Sequence, residues 1–235
     1  TLKPAQDTQI EHTSEQSRSG SVGVSIGASG ITATASASRS QGQGVGQGVS
    51  QRNTHVAAAR IELESGGHTT LAGAVASAGA IHARVGGDLL IASLQDTATH
   101  DEKSRSSGAS VAVPITGGSF SASVSAGRTR IQSDYASVGE QSGLKAGDGG
   151  FDVEVQGKTR LNGGAITSTQ AAVEAGANRF ESAGGTELAD LHNSATYQAS
   201  GASVSAGVSN GKPTGSAGIG SDHGSARSTT RAAIS

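Results

Sequence analysis

The chain has 235 residues and a formal net charge of −2, and it contains no Cys, Met or Trp, two Tyr and three Phe. The lack of Cys excludes a disulfide scaffold and a Cys-based metal site. No basic stretch is interleaved with aromatic residues, which argues against nucleic acid as a partner. No apolar run is long enough for a transmembrane helix, and no signal peptide is recognisable. With 36 Gly and few large side chains, small contacts and backbone hydrogen bonds must stabilise the fold.

The first predicted element is a β-hairpin over residues 17–42. Val24 and Ile26 alternate with Ser and Gly before a four-residue Gly-Ala-Ser-Gly turn. A turn of this length predicts that Ile26 faces Ile31 and that Val24 faces Ala33. Each pairing puts an apolar side chain opposite another, so we expect a two-stranded ribbon with one apolar face.

Two stacked coils are predicted over residues 49–98. The segment Ile61–Gly67 is echoed 20 residues later by Ile81–Gly87, and each copy is a short alternating strand that ends in Gly-Gly. Short strands with turns at this period are typical of a right-handed parallel β-helix. The glycine pairs are predicted to stack at a corner, where a positive φ costs Gly little. A β-sandwich is the alternative, but it does not require the sequence to repeat.

A second hairpin is predicted over residues 104–130. Alternate residues are apolar on both sides of the turn Thr116–Ser119, with Ser at most of the intervening positions. If this turn also has four residues, the predicted pairs are Ile115 with Phe120, Val113 with Ala122, and Val111 with Val124.

The second set of coils is predicted over residues 131–198. Phe151–Gly157 repeats the Ile61–Gly67 element at an offset of 90 residues. Residues 170–182 do not fit the coil pattern. They are predicted to be an insertion between coils, in which Ala171–Ala175 forms a helical turn or a loop.

A third hairpin, over residues 199–228, turns near Asn210-Gly211. Its predicted pairs are Val204 with Ala217, Ala202 with Ile219, and Val208 with Pro213. The last pair fits less well than the others.

The whole pattern predicts an all-β fold, a right-handed parallel β-helix with long antiparallel β-hairpins between pairs of coils. Residues 1–235 are interpreted as a fragment of one repeat array, since the chain lacks Met even at position 1. A lone hairpin is marginal in water and needs a cover for its apolar face. The favoured cover is the flank of the β-helix; pairing with another ribbon and entry into a lipid phase are the alternatives.

Residues that could carry chemistry are scattered. The seven His stand singly, without metal-ligand spacing: His12, His55, His68, His82, His100, His192 and His223. The run Gly147–Val153 is weakly similar to Gly-Asp calcium repeats but occurs once. The coil carboxylates Glu62, Glu64, Asp88 and Glu154 form no evident pair for a glycosidase. We therefore predict no catalytic, cofactor-binding or metal-binding residues and no enzyme activity.

The coil segments ESGGHTTLAGA, VGGDLLIASLQDT and SDYASVGEQSGLKAGDGGFDVEVQGKTRLNGGAI resemble a known family. The chain is similar there to the haemagglutinin-repeat region of filamentous haemagglutinin-like exoproteins, and among them to the large effectors of contact-dependent growth inhibition. The resemblance covers about residues 53–200 and extends through the hairpins. It does not include the family's secretion-signal domain or a toxin domain.

The resemblance implies two-partner secretion through an outer-membrane transporter and a rod on the surface of a Gram-negative bacterium. It further implies association with the target cell's outer membrane, or with a surface receptor, during toxin delivery. The expected function is thus structural: to extend and present other domains. A plain adhesin stalk and a carbohydrate-active β-helix enzyme are the alternatives. Self-association through exposed terminal coils is also expected.

Overall fold

A computed structural model describes residues 1–27 and 30–235. Within them the chain is almost entirely β-strand. The elements in chain order are β1 (Ala5–Gly27), β2 (Gly30–Arg52), β3 (Thr54–Ser65), β4 (Thr69–Ala72), β5 (Ala74–Val85), β6 (Leu89–Ala92), β7 (Gln95–Thr116), β8 (Ser121–Val138), β9 (Gly143–Ala146), β10 (Phe151–Val155), β11 (Thr159–Asn162), β12 (Ala165–Thr167), α1 (Gln170–Glu174), β13 (Arg179–Ser182), β14 (Thr186–Ala189), β15 (Leu191–Ser209), β16 (Lys212–Thr230) and β17 (Ala233–Ile234).

The short strands stack in parallel as the coils of a β-helix, so the predicted fold class is confirmed. One sheet has the order β14-β11-β6-β4, and a second has the order β13-β10-β5-β9-β12-β17 with β3 also on β5. β5 serves two faces of the coil, because its first half pairs with β9 and its second half with β10. Each coil therefore has three faces.

The predicted 20-residue and 90-residue repeats correspond to stacked positions. Ile61 pairs with Ile81, and Ile81 pairs with Phe151 on the next coil. Their side chains point inward with those of the other faces and form a single core. That core contains Leu71, Ala74, Ala76, Ala78, Ile81, Ala83, Val85, Leu89, Ile91, Leu144, Ala146, Phe151, Val153, Val155, Leu161 and Ile166. All of these residues lie in the coils.

The Gly-Gly corners stack as predicted, but for a different reason. Neither Gly66-Gly67 nor Gly86-Gly87 has a positive φ. Instead, a Cβ on Gly87 would lie 2.8 Å from the carbonyl carbon of Gly67 on the preceding coil, and one on Gly184 would lie 2.6 Å from that of Gly157. Glycine is needed because the backbones approach each other closely at this corner.

Only the first part of the predicted insertion at 170–182 departs from the coil pattern. Its first part forms α1, where Thr169 is the N-cap and its side-chain oxygen accepts a hydrogen bond from the Ala172 backbone N–H. Its second part is β13, which pairs in register with β10 and is an ordinary coil strand. Loop and strand could not be separated in the sequence because Phe180 is the only large apolar residue in β13.

The long strands form three hairpins: β1–β2 is hairpin 1, β7–β8 is hairpin 2 and β15–β16 is hairpin 3. Each hairpin extends beyond its predicted range at both ends, and the three pair edge to edge in one antiparallel sheet, β1-β2-β7-β8-β15-β16. We call this layer the hairpin sheet. The favoured prediction, packing of the ribbons on the β-helix flank, is wrong: Val22 remains 88% exposed and Ile219 92% exposed.

The predicted hairpin registers are confirmed for hairpins 1 and 3. The two middle residues of the first turn lie outside the described residues, but Ile26 pairs with Ile31, and Ala202 pairs with Ile219. In hairpin 2 the prediction is wrong by two residues, since Val111 pairs with Ala122. The connection there is longer than a four-residue turn: β8 begins at Ser121, and the Phe120 carbonyl accepts a hydrogen bond from the Asn210 N–H of hairpin 3.

A simple match of spacings explains why the hairpins can pair. Hairpin 2 follows β6 and hairpin 3 follows β14, and Leu2, before hairpin 1, bridges to Leu71 of the same sheet. Two coils therefore separate successive hairpins. Neighbouring strands lie about 4.8 Å apart in either part. Two coils thus advance the β-helix by the width of one two-stranded hairpin, and the hairpin sheet grows in step with it.

Candidate functional surface

The hairpin sheet has two distinct faces, because its registers run without interruption along almost the whole strand length. Side chains alternate between faces along each strand. The front face carries the even-numbered residues of β1, β8 and β15 and the odd-numbered residues of β2, β7 and β16. The remaining residues form the back face.

The front face is apolar near the hairpin ends and exposed. Its large apolar side chains there, which we call the tip patch, are Val22, Val24, Ile26, Val113, Val124, Val204, Val208 and Ile219, each at least 39% exposed. Small Ala side chains fill the positions between them. By contrast, Ile81 in the coils is fully buried. Soluble proteins rarely expose a large contiguous apolar patch unless it binds something.

A row of arginines borders the tip patch on the same face. Arg18 lies directly opposite Arg39, and Arg105 lies directly opposite Arg128. Arg39 is joined to this second pair diagonally, because it pairs with Ser107, two residues along β7 from Arg105. We call these four residues the arginine row. Among the described residues, none of the four makes an ion pair within 4.0 Å.

A shallow groove of about 710 Å³ lies where the arginine row meets the tip patch. It is lined by Arg39, Arg105 and Arg128 from the row and by Val204 and Ile219 from the patch. Cationic and aliphatic groups are therefore accessible to the same binding partner.

The two faces also carry opposite charge. On the described hairpin strands the front face holds seven cations and two acids, whereas the back face holds two cations and six acids. The front cations are Arg18, Arg39, Lys103, Arg105, Arg128, Arg130 and Arg227, with Asp101 and Asp134; the back charges are Arg52 and Lys212 with Asp7, Glu11, Glu15, Asp96, Glu102 and Asp222. The front face is therefore net positive and the back face net negative.

Further from the hairpin ends than the arginine row, the front face contains cations that pair with an acid on the same face. The Arg130 guanidinium lies 2.9 Å from Asp101 Oδ2, and Lys103 Nζ lies 3.6 Å from Asp101 Oδ1. The hydrogen bond from Arg130 holds the pKa of the Asp101 carboxyl below its ordinary value. These two cations therefore have a partner, unlike the four of the arginine row.

The back face is a polar surface of hydroxyl ladders. Ser19 and Ser38 share a hydrogen bond of 2.7 Å between their Oγ atoms, and equivalent Ser pairs cross hairpins 2 and 3. The Tyr197 hydroxyl donates a 2.8 Å hydrogen bond to Asp222 Oδ2, which raises the pKa of the tyrosine. The back face is thus polar and acidic.

The coil carboxylates singled out in the sequence lie outside this surface and are bound to cations or to the backbone. Glu154 Oε1 lies 2.6 Å from Arg179 Nη1, and Arg84 lies between Glu64 and Glu154. The hydrogen bonds that Arg179 donates to Glu181 and Glu154 raise its pKa. The structure thus brings Glu64 and Glu154 together only through Arg84, in an ion-pair ladder along one coil face.

The remaining coil carboxylates and four of the seven histidines also have polar partners. Asp88 Oδ1 accepts a hydrogen bond from the Lys158 N–H and Glu62 pairs with Arg60, while Asp148 of the calcium-like run accepts a bond from Thr169. His55, His68, His82 and His100 each lie within 4 Å of a single carboxylate. Among the residues the structure describes, no group of three or more His, Asp or Glu could hold a metal ion.

The apolar alternation of the hairpins was predicted from the sequence, but the arginine row was not. The signal was present, since each of these arginines has the same strand parity as the Val and Ile near the hairpin end of its own strand. Placing arginines from different hairpins in one row required the pairing between hairpins, which was not predicted from the sequence. In residues 1–27 and 30–235, no helix is long and apolar enough to cross a membrane.

Comparison with known proteins identifies the repeats. A family model described as hemagglutinin repeat matches residues 1–109. The chain is 41% identical over 191 residues to a tRNA nuclease CdiA of Yersinia mollaretii, and this alignment covers 78% of the chain and 6% of that protein. It is 37% identical over 246 residues to a deoxyribonuclease CdiA of Yersinia pseudotuberculosis, covering 100% of the chain and 22% of the relative.

A tRNA nuclease CdiA of Escherichia coli is 36% identical over 246 residues, which cover 99% of the chain and 7% of that protein. The chain thus spans only a small part of the relatives it matches. Its coils, its hairpins and these similarities show that it belongs to the haemagglutinin-repeat region of filamentous haemagglutinin-like exoproteins, the group that includes the CdiA proteins of contact-dependent growth inhibition, and that it is a structural segment.

Proposed function

We propose that this segment is a stalk of a secreted exoprotein on a Gram-negative cell surface, and that its front face docks on the outer membrane of a target cell during contact-dependent toxin delivery. The exposed tip patch is the observation that carries this proposal. Ile219, at 92% exposed, and the other members of the patch contribute nothing to the core of the free chain. Their burial against a partner is therefore a source of binding free energy.

The chemistry of the tip patch favours lipid over a protein partner. Its large side chains are Val and Ile with Ala between them, whereas protein interfaces concentrate binding free energy in anchors, prominent among them the aromatic residues Trp and Tyr. Both Tyr of the sheet, Tyr135 and Tyr197, have back-face parity. An aliphatic surface without aromatic anchors matches a fluid hydrocarbon phase, which needs no fixed complementary shape.

The back face and the open edges decide how the sheet would meet a membrane. The back face is acidic, and β1 and β16 are the outer strands of the described sheet. Immersing acidic side chains or unpaired strand edges in hydrocarbon is costly. The sheet therefore lies on the membrane surface with its front face down, in the manner of an amphipathic interfacial helix.

Export through an outer-membrane transporter of two-partner secretion is part of the same proposal, as is a location on the cell surface. The nuclease and toxin activities in the names of the relatives belong, on this proposal, to other parts of those proteins. The coils act as the rigid support, because their buried core lies in stacked coils that hold successive hairpins in register.

Flotation with outer-membrane vesicles tests the proposal. The native chain is expected to float with the vesicles. Val124→Asp places a charge in the tip patch and is expected to reduce flotation severely, while its neighbour Ser125→Asp adds the same charge on the back face and has little effect. A chain that stays in the soluble fraction, or two variants that behave alike, would leave a plain adhesin stalk as the function.

A further inference from the structure

We propose that the arginine row binds the phosphate groups of anionic lipid headgroups at the membrane surface on which the tip patch docks. The inference rests on the proposed function and adds the chemistry of the partner. Four cations, Arg18, Arg39, Arg105 and Arg128, stand on one face without an ion-pair partner among the described residues, directly beside the exposed apolar patch.

The arrangement of the row is unfavourable unless an anion binds it. Two of its pairs, Arg18 with Arg39 and Arg105 with Arg128, are directly opposed across neighbouring strands. Opposed side chains have Cβ atoms about 5 Å apart, and like charges at that distance destabilise a sheet. An oxyanion between the guanidinium groups would turn this repulsion into attraction, and Arg offers planar, bidentate donors that match a phosphate.

The position of the row relative to the patch fits a lipid headgroup. From Arg105 to Val113 the strand runs eight residues, or about 26 Å at 3.3 Å per residue. The tip patch occupies this length on the same face, so a sheet lying front face down brings its aliphatic side chains to the hydrocarbon boundary. The arginines then lie at one border of that contact, where their long side chains reach the phosphate layer.

The opposite sign of the back face supports the same orientation. A membrane with negative surface potential attracts the front face and repels the six acids of the back face. Nucleic acid also offers phosphates, but the row has no aromatic neighbours on its face for base stacking, since Tyr135 and Tyr197 have back-face parity. Lipid is the source to which charge and apolar surface both point.

The test compares two double variants with equal loss of charge. Arg105→Gln/Arg128→Gln removes two cations from the arginine row, and Arg52→Gln/Lys212→Gln removes two from the back face. Affinity is measured by flotation with phosphatidylcholine vesicles and with vesicles that also contain phosphatidylglycerol. The native chain is expected to prefer the anionic vesicles. The row variant is expected to lose about tenfold to thirtyfold in that affinity. Each basic residue near an anionic surface contributes a similar amount of binding free energy, and this variant lacks two of them.

Two further readouts separate phosphate binding from a structural role. The thermal midpoint of the row variant is expected to stay the same or rise, since a like-charge pair has been removed, while binding falls. Added salt should weaken binding of the native chain to anionic vesicles more than that of the row variant. The back-face variant should bind within about twofold of the native chain, as expected for charges held away from the surface.

The outcomes distinguish this inference from the proposed function. Equal binding of the native chain to both vesicle types, with no effect of the row variant, would overturn the phosphate site and leave apolar docking intact. No binding to either vesicle type would overturn both proposals. Equal losses in the two variants, or tighter binding of the native chain to duplex DNA than to anionic vesicles, would also overturn the phosphate site.

Discussion

The coils and the hairpin sheet share the same alternation of apolar and polar residues, but the apolar side chains are buried in the coils and exposed in the hairpin sheet. In β10 the alternate residues Phe151, Val153 and Val155 are buried, because each coil closes around its own inward side chains. In β1 the alternate residues Val22 and Ile26 remain exposed, because nothing in the described part of the chain forms a second layer over the sheet. A period of two thus identifies a strand with one apolar face, and it does not tell what covers that face.

The two regions are also stabilised differently. Burial of side chains stabilises the β-helix, whereas the hairpin sheet lacks a core and depends on its backbone ladders and on anchoring by the coils. Hairpin 1 alone pairs from Ala5 with Arg52 to Gly27 with Gly30. An isolated hairpin is marginal in water. Here each inner strand has a neighbour on both sides, because hairpins leave the β-helix every two coils.

Excising hairpin 2 should disrupt the hairpin sheet and leave the coils intact. Asp96 and Ser137 are paired, so a short Asn-Gly link can replace residues 97–136. Hairpins 1 and 3 would then be separated by the width of two strands, about 10 Å. Amides of residues 31–49 and 194–209 that bonded to hairpin 2 should lose hydrogen-exchange protection, while the coils keep theirs. Loss of protection in the coils as well would contradict the independence of the two regions.

Truncating one apolar side chain in each region should give very different losses of stability. Ile81→Ala removes a fully buried side chain and should cost about 2–5 kcal/mol of the free energy of unfolding. Val204→Ala, in the exposed tip patch, should change it by less than about 0.5 kcal/mol. Urea unfolding of both variants measures this difference; similar losses would mean that the tip patch is covered in the free chain.

The glycine corner offers a smaller and sharper comparison within the coils. A Cβ on Gly87 would meet the backbone of Gly67 at 2.8 Å, whereas a Cβ on Gly67 has no atom within 4 Å. Gly87→Ala should therefore destabilise the chain by about 1–3 kcal/mol through overpacking. Gly67→Ala should be neutral within about 0.5 kcal/mol. Equal shifts of the thermal midpoint in the two variants would refute close backbone approach as the reason for glycine at these stacked corner positions.

The smallest expected effect lies on the back face. The hydrogen bond to Asp222 raises the pKa of Tyr197 above its usual 10.0, so its stabilisation is complete below that pH and is lost as pH rises through the raised value. Asp222→Asn should bring the Tyr197 titration to lower pH in an absorbance titration, with Tyr135→Phe as the background. An unchanged titration curve would mean that the bond does not form in solution.

Much of the fold could be predicted because the coils repeat in sequence as they repeat in space. The 20-residue offset between Ile61 and Ile81 is one turn of the β-helix. The pairing of apolar residues across each turn also predicted the registers of hairpins 1 and 3 correctly. Hairpin 2 was predicted two residues out of register. A shift by two keeps the same face, so the apolar pattern cannot detect it.

The candidate surface was harder to predict because it depends on contacts between hairpins. Arg39 is 66 residues from Arg105 in the sequence, and only the ladder between β2 and β7 brings them into one row. The exposure of the tip patch also could not be read from alternation, since a covered ribbon would show the same sequence. Both features follow from one structural fact, the match between two coils and one hairpin.

A cysteine scan along β8, which the absence of native Cys makes possible, tests most directly whether the front face docks on a membrane. Ala122→Cys, Ser123→Cys, Val124→Cys and Ser125→Cys are each labelled with an environment-sensitive fluorophore and mixed with vesicles that contain anionic lipid. Docking through the front face predicts a blue shift at 122 and 124 and none at 123 and 125. Shifts without this alternation, or no shift at any position, would contradict docking through the front face.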